Sequence, residues 1–345
     1  MGGIPFRFSW ILCISCLVTT SGYIDHSIAI KNNADFYSDP PFLQLQKVIQ
    51  LPDVKGGFDL MAIDLKTKRL FVSAQDNHTV EVTNLHTGKH LLSLPGFNEP
   101  KWVVFIPKFN RIYVSTGGDG KVTVLDGDTY KIVKTFSFKE GCNNLRFDST
   151  TNELFVGVGK TFGALGIIDL KKNKVAGEIH LSGYAKQFEL DGNLIYVNEP
   201  QKNQIEVVSR SAKKVIATWP VEESESNVPM SFDRIHHRLF IGCEPGKFIV
   251  YDTNTGNPIQ SINISKGADG IYYDAKRSRI YVSCGAGNIE IIHQKDADHY
   301  EAMQSVKTVE GAGTSLFSPQ LDKLILAVPQ TTNKQAEIRV YQPVN

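Results

Sequence analysis

The sequence lacks a surplus of charge of either sign, because 37 Lys and Arg residues stand against 36 Asp and Glu residues. Proteins that bind a polyanion rely on a basic surplus that neutralises phosphates, so no nucleic-acid partner is expected. At 41% hydrophobic residues, the 345-residue chain is neither disordered nor rich in membrane spans. The composition indicates a water-soluble globular protein, and a single propeller or barrel can reach this length.

Cysteine is scarce, with five residues in all, of which only Cys142, Cys243 and Cys284 follow the N-terminal segment. An odd and widely spaced set does not make a disulfide scaffold, so stability has to come from packing. Cys243 and Cys284 occupy the same position of two neighbouring sequence repeats. Packed sheets lie about 10 Å apart, and a disulfide needs Cα atoms within about 7 Å. We therefore predict buried free thiols.

Motifs of the common enzyme classes are missing as well. The sequence has no Gly-x-Ser-x-Gly elbow, no glycine-rich phosphate loop before a helix and no Cys-x-x-Cys-His haem motif. Its nine histidines include no set of three that converges on one site, which argues against a histidine-ligated metal. We expect no metal and no cofactor, and we assign no catalytic residue.

Residues 1–22 have the pattern of a secretory signal peptide. One early cation, Arg7, precedes a short apolar run over 9–18, and small polar residues then lead to Gly22. A membrane-spanning helix needs about 20 apolar residues, so we expect cleavage near Gly22 and a secreted or periplasmic protein without stable membrane insertion. An uncleaved anchor is the alternative. Residues 23–41 lack periodicity and are predicted to be a flexible lead-in.

A strand-like pattern of four residues recurs seven times along the chain. The copies lie at 69–72, 111–114, 153–156, 194–197, 238–241, 279–282 and 323–326. Their second residues are separated by 42, 42, 41, 44, 41 and 44 positions. In most repeats one strand-like run precedes the pattern and two follow it, with polar turns between. Four antiparallel strands in such a repeat are typical of a propeller blade, so we predict an all-β, seven-bladed β-propeller as one domain over 42–345.

The two ends of the repeat array complement each other. The last repeat stops after its third strand, at Tyr341, and an additional strand-like run over 42–51 precedes the first repeat. We predict that this N-terminal run is the fourth strand of the last blade and closes the ring. Closure removes the open sheet edges that promote association, so a monomer is expected.

Several segments resemble the YVTN-type β-propeller proteins, including the exported YncE-like group. Strand ends that read Tyr-Val-Ser or Phe-Val-Ser and the Asp-Thr-Asn-Thr-Gly turn at 252–256 are similar to that family, whereas the WD40 signature is absent. A narrower similarity to an exported bacterial subgroup lies at 57–64, 296–300, 314–317 and 336–341. The resemblance covers 42–343 and implies a propeller fold and export. Members of the family differ in their partners, so the resemblance implies no reaction.

The residues that begin the innermost strands are the candidate site, because these strands converge on one mouth of the central channel. We count back five residues from Asp64 and its equivalents, taking Pro107 in the second repeat. This count predicts a ring of Asp59, Trp102, Asn143, Lys186, Val228, Asp269 and Gly313, with Asn144, Gln187 and Thr314 as neighbours. We predict ligand binding by Asp59, Trp102, Asn143, Asn144, Lys186 and Asp269. The predicted net charge of −1 favours neutral or cationic groups.

Two functional hypotheses follow. The first is an exported binding or scaffold protein that engages a small polar ligand or a protein partner at the mouth. The second is a lactonase-like hydrolase or quinoprotein-like oxidoreductase that uses the carboxylates of Asp59 and Asp269. A mouth that is merely solvated and binds nothing is a further alternative. Deeper in the channel, Arg146 and Glu189 fall on adjacent repeats, where we predict a structural ion pair.

Overall fold

The computed structural model describes residues 41–222 and 224–345, which contain 28 β-strands arranged in seven sheets. This part of the chain contains no helix, so none is long and apolar enough to cross a membrane. The first fourteen strands are β1 (Leu43–Leu51), β2 (Met61–Asp64), β3 (Arg69–Ala74), β4 (Thr79–Asn84), β5 (Lys89–Pro95), β6 (Pro100–Ile106), β7 (Arg111–Thr116), β8 (Lys121–Asp126), β9 (Ile132–Ser137), β10 (Cys142–Asp148), β11 (Glu153–Gly159), β12 (Gly163–Asp169), β13 (Lys174–Leu181) and β14 (Phe188–Asp191). The others are β15 (Leu194–Glu199), β16 (Gln204–Ser209), β17 (Lys214–Pro220), β18 (Met230–Asp233), β19 (Arg238–Cys243), β20 (Lys247–Asp252), β21 (Asn257–Asn263), β22 (Ala268–Asp274), β23 (Arg279–Cys284), β24 (Asn288–Gln294), β25 (Tyr300–Lys307), β26 (Ser315–Ser318), β27 (Lys323–Val328) and β28 (Ala336–Pro343).

The seven sheets are the blades of a propeller. Blades 1 to 6 are β2–β5, β6–β9, β10–β13, β14–β17, β18–β21 and β22–β25, and each is an antiparallel meander. Blade 7 has the order β1-β28-β27-β26. The innermost strand of each blade contacts that of the next, and β26 returns to contact β2. The strands therefore form the seven-bladed ring that the repeat predicts.

Blade 7 is completed by the N-terminal strand. β1 runs antiparallel to β28, from the pair Leu43–Pro343 to the pair Leu51–Ala336. The Lys47 ammonium donates hydrogen bonds to the carbonyls of two residues in blade 1, at 2.9 and 2.7 Å. The ends of the described chain are thus joined within one sheet.

Burial along a blade explains why its strands differ in sequence. The second strand of blade 1, β3, is buried at every position after its first residue and is almost wholly apolar. The outer strand β5 alternates between exposed and half-buried residues. A strand that is covered on both faces has a continuous apolar run, whereas an outer strand alternates. The core lies between adjacent blades, and Cys142, Cys243 and Cys284 are buried in it as free thiols, as predicted.

The turns that follow the innermost strands form the face opposite the mouth, which we call the turn face. In blade 1, the Asp64 carboxylate accepts hydrogen bonds from the Lys66 N–H at 3.0 Å and the Thr67 hydroxyl at 2.5 Å. Arg69, on the next strand, reaches the same carboxylate at 2.9 Å. Together these contacts outweigh the effect of burial and lower the pKa of Asp64. On this face, acidic residues stabilise the turns.

Candidate functional site

The residues at or just before the start of the innermost strands surround one mouth of the channel. Strand pairing places Asp59, Lys101, Asn143, Lys186, Val228, Asp269 and Gly313 at equivalent positions, and we call this set the mouth ring. Six of these seven residues agree with the ring predicted from the sequence. Blade 2 is the exception, because its ring position is occupied by Lys101 rather than Trp102.

The error in blade 2 has a structural cause. Strand β6 ends at Ile106, which pairs with Arg111 as Asp64 pairs with Arg69, so Ile106 and not Pro107 is the equivalent of Asp64. Counting from Ile106 gives Lys101, the extra residue of a β-bulge before Trp102. The corrected ring contains two carboxylates and two lysines. The predicted charge of −1 is therefore wrong, and the ring has no formal net charge.

The acidic part of the mouth is formed by blades 6 and 1. The Asp269 carboxylate lies 2.8 Å from the Thr314 hydroxyl, and Asp59 accepts one hydrogen bond, from the Leu60 N–H at 2.9 Å. Confinement in the channel and repulsion from Asp269 raise the pKa of Asp59 to about 7, although Lys101 and Lys186 oppose the shift. Asp59 therefore exchanges a proton near neutral pH.

The basic part of the mouth is formed by blades 2 and 4. The Lys101 ammonium donates to the Gln75 side-chain oxygen at 2.7 Å. The Lys186 ammonium lies 5.2 Å from the centre of the Tyr184 ring, a cation–π contact. Both lysines are half-buried. Their charges therefore lie at the mouth, close enough to Asp59 to oppose the rise in its pKa.

The two asparagines of blade 3 are buried, Asn143 at the ring position and Asn144 directly after it. Asn143 is 4% exposed and donates to the Tyr184 hydroxyl at 2.6 Å, so its amide N–H is partly committed to the protein. Asn144 is 2% exposed, and its amide nitrogen has no hydrogen-bond partner in the described residues. The structure thus places Asp59, Asn143, Lys186 and Asp269 in the mouth ring, with Asn144 and Trp102 one position further along their strands.

Sequence reasoning missed Lys101 and Tyr184. Lys101 could have been found by aligning the apolar end of β6 with the ends of the other innermost strands. Tyr184 lies in the connection between β13 and β14, where no periodic pattern predicts a side chain's position. Its position depends on how that connection crosses from one blade to the next.

Beneath the ring, the Gln187 side chain bridges three blades. Its amide nitrogen donates to the Asp269 carbonyl at 3.1 Å, and its amide oxygen accepts from the Met230 N–H at 3.1 Å. A cavity of about 360 Å³ lies in the channel below, and Gln187 is part of its wall whereas the mouth ring is not. Gln187 therefore separates the mouth from the deeper channel.

The deeper cavity is lined by the residues three positions after the ring. These residues are Ala62, Val104, Arg146, Glu189, Ser231, Tyr272 and Leu316. The Arg146 guanidinium lies 3.2 Å from the Glu189 carboxylate, which confirms the predicted ion pair. It also lies 4.2 Å from the centre of a ring of Trp102. In residues 41–222 and 224–345, no group of three His, Cys, Asp or Glu side chains is arranged to hold a metal ion.

Comparison with known proteins identifies the class of fold. No protein-family model matches this chain, and no curated protein matches it. Among solved structures, 1767 chains are similar. A chain of the crystal structure of the mitotic checkpoint complex has a TM-score of 0.73 and 12% identity, with 97% of this chain and 99% of that chain covered. At this identity the likeness supports the seven-bladed propeller fold alone, and the narrower YVTN-type resemblance stays a prediction.

Proposed function

We propose that this protein is a binding module whose channel mouth takes a small polar ligand or a polar loop of a partner protein. The observation that carries the proposal is the charge pattern of the mouth ring. Asp269 and Asp59 flank blade 7, and Lys101 and Lys186 flank blade 3 on the other side of the ring. A ligand that presents an ammonium group and a carboxylate matches both halves at once.

The rigidity of the ring supports this assignment. Each charged side chain lies at or within two residues of the start of an innermost strand that pairs with a buried second strand, so its base is held before any ligand arrives. Binding groups on rigid elements lose little conformational entropy when they engage a ligand. Because the raised pKa of Asp59 is near 7, the mouth also gains negative charge as the pH rises past neutrality.

A protein partner is one form that such a ligand can take. The similar propeller described above belongs to the structure of a protein complex, which supports a partner-binding role for this fold. We also propose that the mature protein begins after Gly22 and is exported. That segment lies outside the described residues, so its support is the sequence pattern alone, and mass spectrometry of the secreted protein tests it.

Glycylglycine is a suitable probe because it carries both charges on a small backbone. We expect the free dipeptide to bind more tightly than its N-acetyl or C-amide derivative, since each blocked form loses one of the two ionic contacts. Backbone NMR shifts measure both affinity and location. Equal binding of all three forms, or shifts confined to the turn face, would contradict the proposal.

Matched lysine variants sharpen this test. Lys101→Met removes one cation of the mouth and should weaken glycylglycine binding by about tenfold. Lys108→Met removes a lysine that lies after β6, where its ammonium donates to Asn152 at 2.7 Å. This second change should leave dipeptide affinity as it is.

A hydrolase is the second candidate, and one observation favours it. A carboxyl group with a pKa of about 7 beside a second carboxylate is suited to general acid–base catalysis. Lactone hydrolysis by the purified protein, lost in Asp59→Asn, would support this function. If Asp59→Asn left the rate of lactone hydrolysis unchanged, the raised pKa of Asp59 would reflect its surroundings and not a catalytic role.

A further inference from the structure

The deeper cavity has the chemistry of a second binding site. We propose that it binds a small monocarboxylate with an apolar body, and that Arg146 receives the carboxylate. This site is separate from the mouth ring, and its test does not depend on the function proposed for the mouth. Its volume of about 360 Å³ lies within the range of small-molecule pockets.

Arg146 has hydrogen-bond donors to spare. A guanidinium carries five N–H donors, and the described residues accept only two hydrogen bonds from it, through the Leu145 carbonyl at 3.3 Å and Glu189 at 3.2 Å. Its flat face is occupied by Trp102, which leaves the donors at its edge directed away from the indole. With 21% of its side chain exposed, Arg146 is accessible from the channel.

The charge around Arg146 also favours an anion. Glu189 is the acceptor for two guanidinium groups, because one oxygen lies 3.2 Å from Arg146 and the other 3.2 Å from Arg234. One carboxylate therefore faces two cations, and the cluster has a formal charge of +1. Arg234 is 54% exposed on the turn face, so the cluster extends from the cavity to that side of the protein. A second carboxylate would balance the charge.

The remaining cavity wall determines what accompanies the carboxylate. Apolar side chains cover much of it, including Met61, Ile271 and Leu316. Tyr272 also lines the cavity, but its hydroxyl donates to the Ser315 carbonyl at 2.7 Å and is thus already engaged. An alkyl or aryl body gains from contact with such a wall, whereas a sugar or a nucleotide would leave its hydroxyl groups unpaired.

This proposal can be tested with hexanoate, hexanamide and hexylamine. The three compounds share an apolar chain, and their head groups are negative, neutral and positive. We expect the full-length protein to bind hexanoate at one site in calorimetry, hexanamide about tenfold more weakly or worse, and hexylamine not at all. Equal binding of hexanoate and hexanamide would overturn the proposal. So would the absence of hexanoate binding up to about 10 mM.

Three variants locate the site. Arg146→Gln should abolish hexanoate binding, and Glu189→Gln should strengthen it severalfold because Glu189 competes for the same guanidinium. Arg69→Gln is the control, since Arg69 also combines an ion pair with an aromatic contact but lies outside the cavity. If Arg146→Gln fails to fold, Glu189→Gln still tests the proposal. Unchanged or weaker hexanoate binding by Glu189→Gln would show that Glu189 and hexanoate do not compete for Arg146.

Discussion

The two ends of the innermost strand of blade 1 carry the same residue type in opposite environments. At the turn face, Asp64 is 3% exposed, and contacts from Thr67 and Arg69 lower its pKa. At the mouth, Asp59 accepts a hydrogen bond only from Leu60 among the described residues, and its pKa rises to about 7. The Asp64 carboxylate therefore stabilises the fold, whereas the ionised Asp59 carboxylate raises the free energy of the folded state.

Other blades repeat this contrast. At the turn face, Asp148 is held by the Thr150 hydroxyl at 2.6 Å and by Arg210 at 2.5 Å. At the mouth, Asp269 has the Thr314 hydroxyl at 2.8 Å and no cation within ion-pair distance in the described residues. Stability and function often compete in this way, because groups that await a ligand are incompletely satisfied without it. The contrast locates the candidate site independently of any motif.

Opening the ring should have the largest effect on the difference between the mouth and the turn face. Deleting residues 42–51 removes β1, with Leu43, Ile49 and Leu51 all buried, and should cost about 6 kcal/mol or more of the free energy of unfolding. The mouth should lose its ligand, because blades 7 and 1 no longer hold their spacing. Leu45→Thr, at a position 47% exposed on the same strand, is the control and should have little effect on thermal melting. A deletion variant that melts with the parent would exclude closure by β1.

Replacing one carboxylate on the turn face and one at the mouth compares the two environments directly. Asp274→Ala on the turn face leaves Arg277 and Tyr281 without the carboxylate that they contact at 2.9 and 3.0 Å. This change should lower the free energy of unfolding by about 3–5 kcal/mol. Asp269→Ala at the mouth removes one hydrogen bond and should cost about 1 kcal/mol. Denaturant unfolding measures both. Similar losses at the two positions would remove the basis of the comparison.

The ion pair of Arg146 and Glu189 lies midway along the channel, and its contribution to stability should fall between those of the two carboxylates. Arg146 and Glu189 are 21% and 16% exposed, so a double-mutant cycle with Arg146→Gln and Glu189→Gln should give a coupling energy of about 1–2 kcal/mol. Arg234 keeps a partial partner for Glu189 and limits the loss from Arg146→Gln. Strictly additive effects on unfolding would show that the contact contributes nothing.

The smallest effect concerns the raised pKa of Asp59. A carboxyl group with a pKa that is higher in the folded state stabilises the protein below the unfolded pKa, and this contribution is lost as the pH rises through about 7. Asp59→Asn removes that loss. The Tm of the variant relative to that of the parent should therefore rise by about 2 °C from about pH 5 to about pH 8. Thermal melts at both pH values measure the difference. Parallel melting curves across that range would indicate an ordinary pKa for Asp59.

Much of the fold could be predicted from the sequence because propeller blades are local. Each meander pairs residues that are close in the chain, so the pattern at 69–72 and its later copies reports strand position without long-range information. The closing strand pairs with a distant part of the chain, and it was predicted because the last repeat stops after its third strand at Tyr341 while an additional strand precedes the first repeat at 42–51. The ion pair of Arg146 and Glu189 followed from equal counting within adjacent repeats.

The candidate site was less predictable because the count depends on which residue ends each innermost strand. Strand β6 ends at Ile106 and not at Pro107, and this error of one position exchanged Lys101 for Trp102 and changed the charge of the ring. The bulge at Lys101 was not the cause, because β10 and β22 have bulges near the same position and the count was correct there. The end of a strand is defined by its pairing with the next strand, so it depends on both strands together.

The sequence by itself determined the number of blades, the order of the strands and which segment closes the ring. The first two depend on periodicity and on pairing between chain neighbours, and the third follows from the incomplete last repeat and the additional strand at the start of the array. Only the tertiary structure decided which charges share the mouth and how well each is satisfied. Asp59 and Asp269 are 210 positions apart in the chain, and their mutual repulsion arises only when the ring closes. The bridge from Gln187 to Asp269 and Met230 likewise requires three blades to be in place. Electrostatic interaction depends on distance in space and on burial, and neither can be read from one strand.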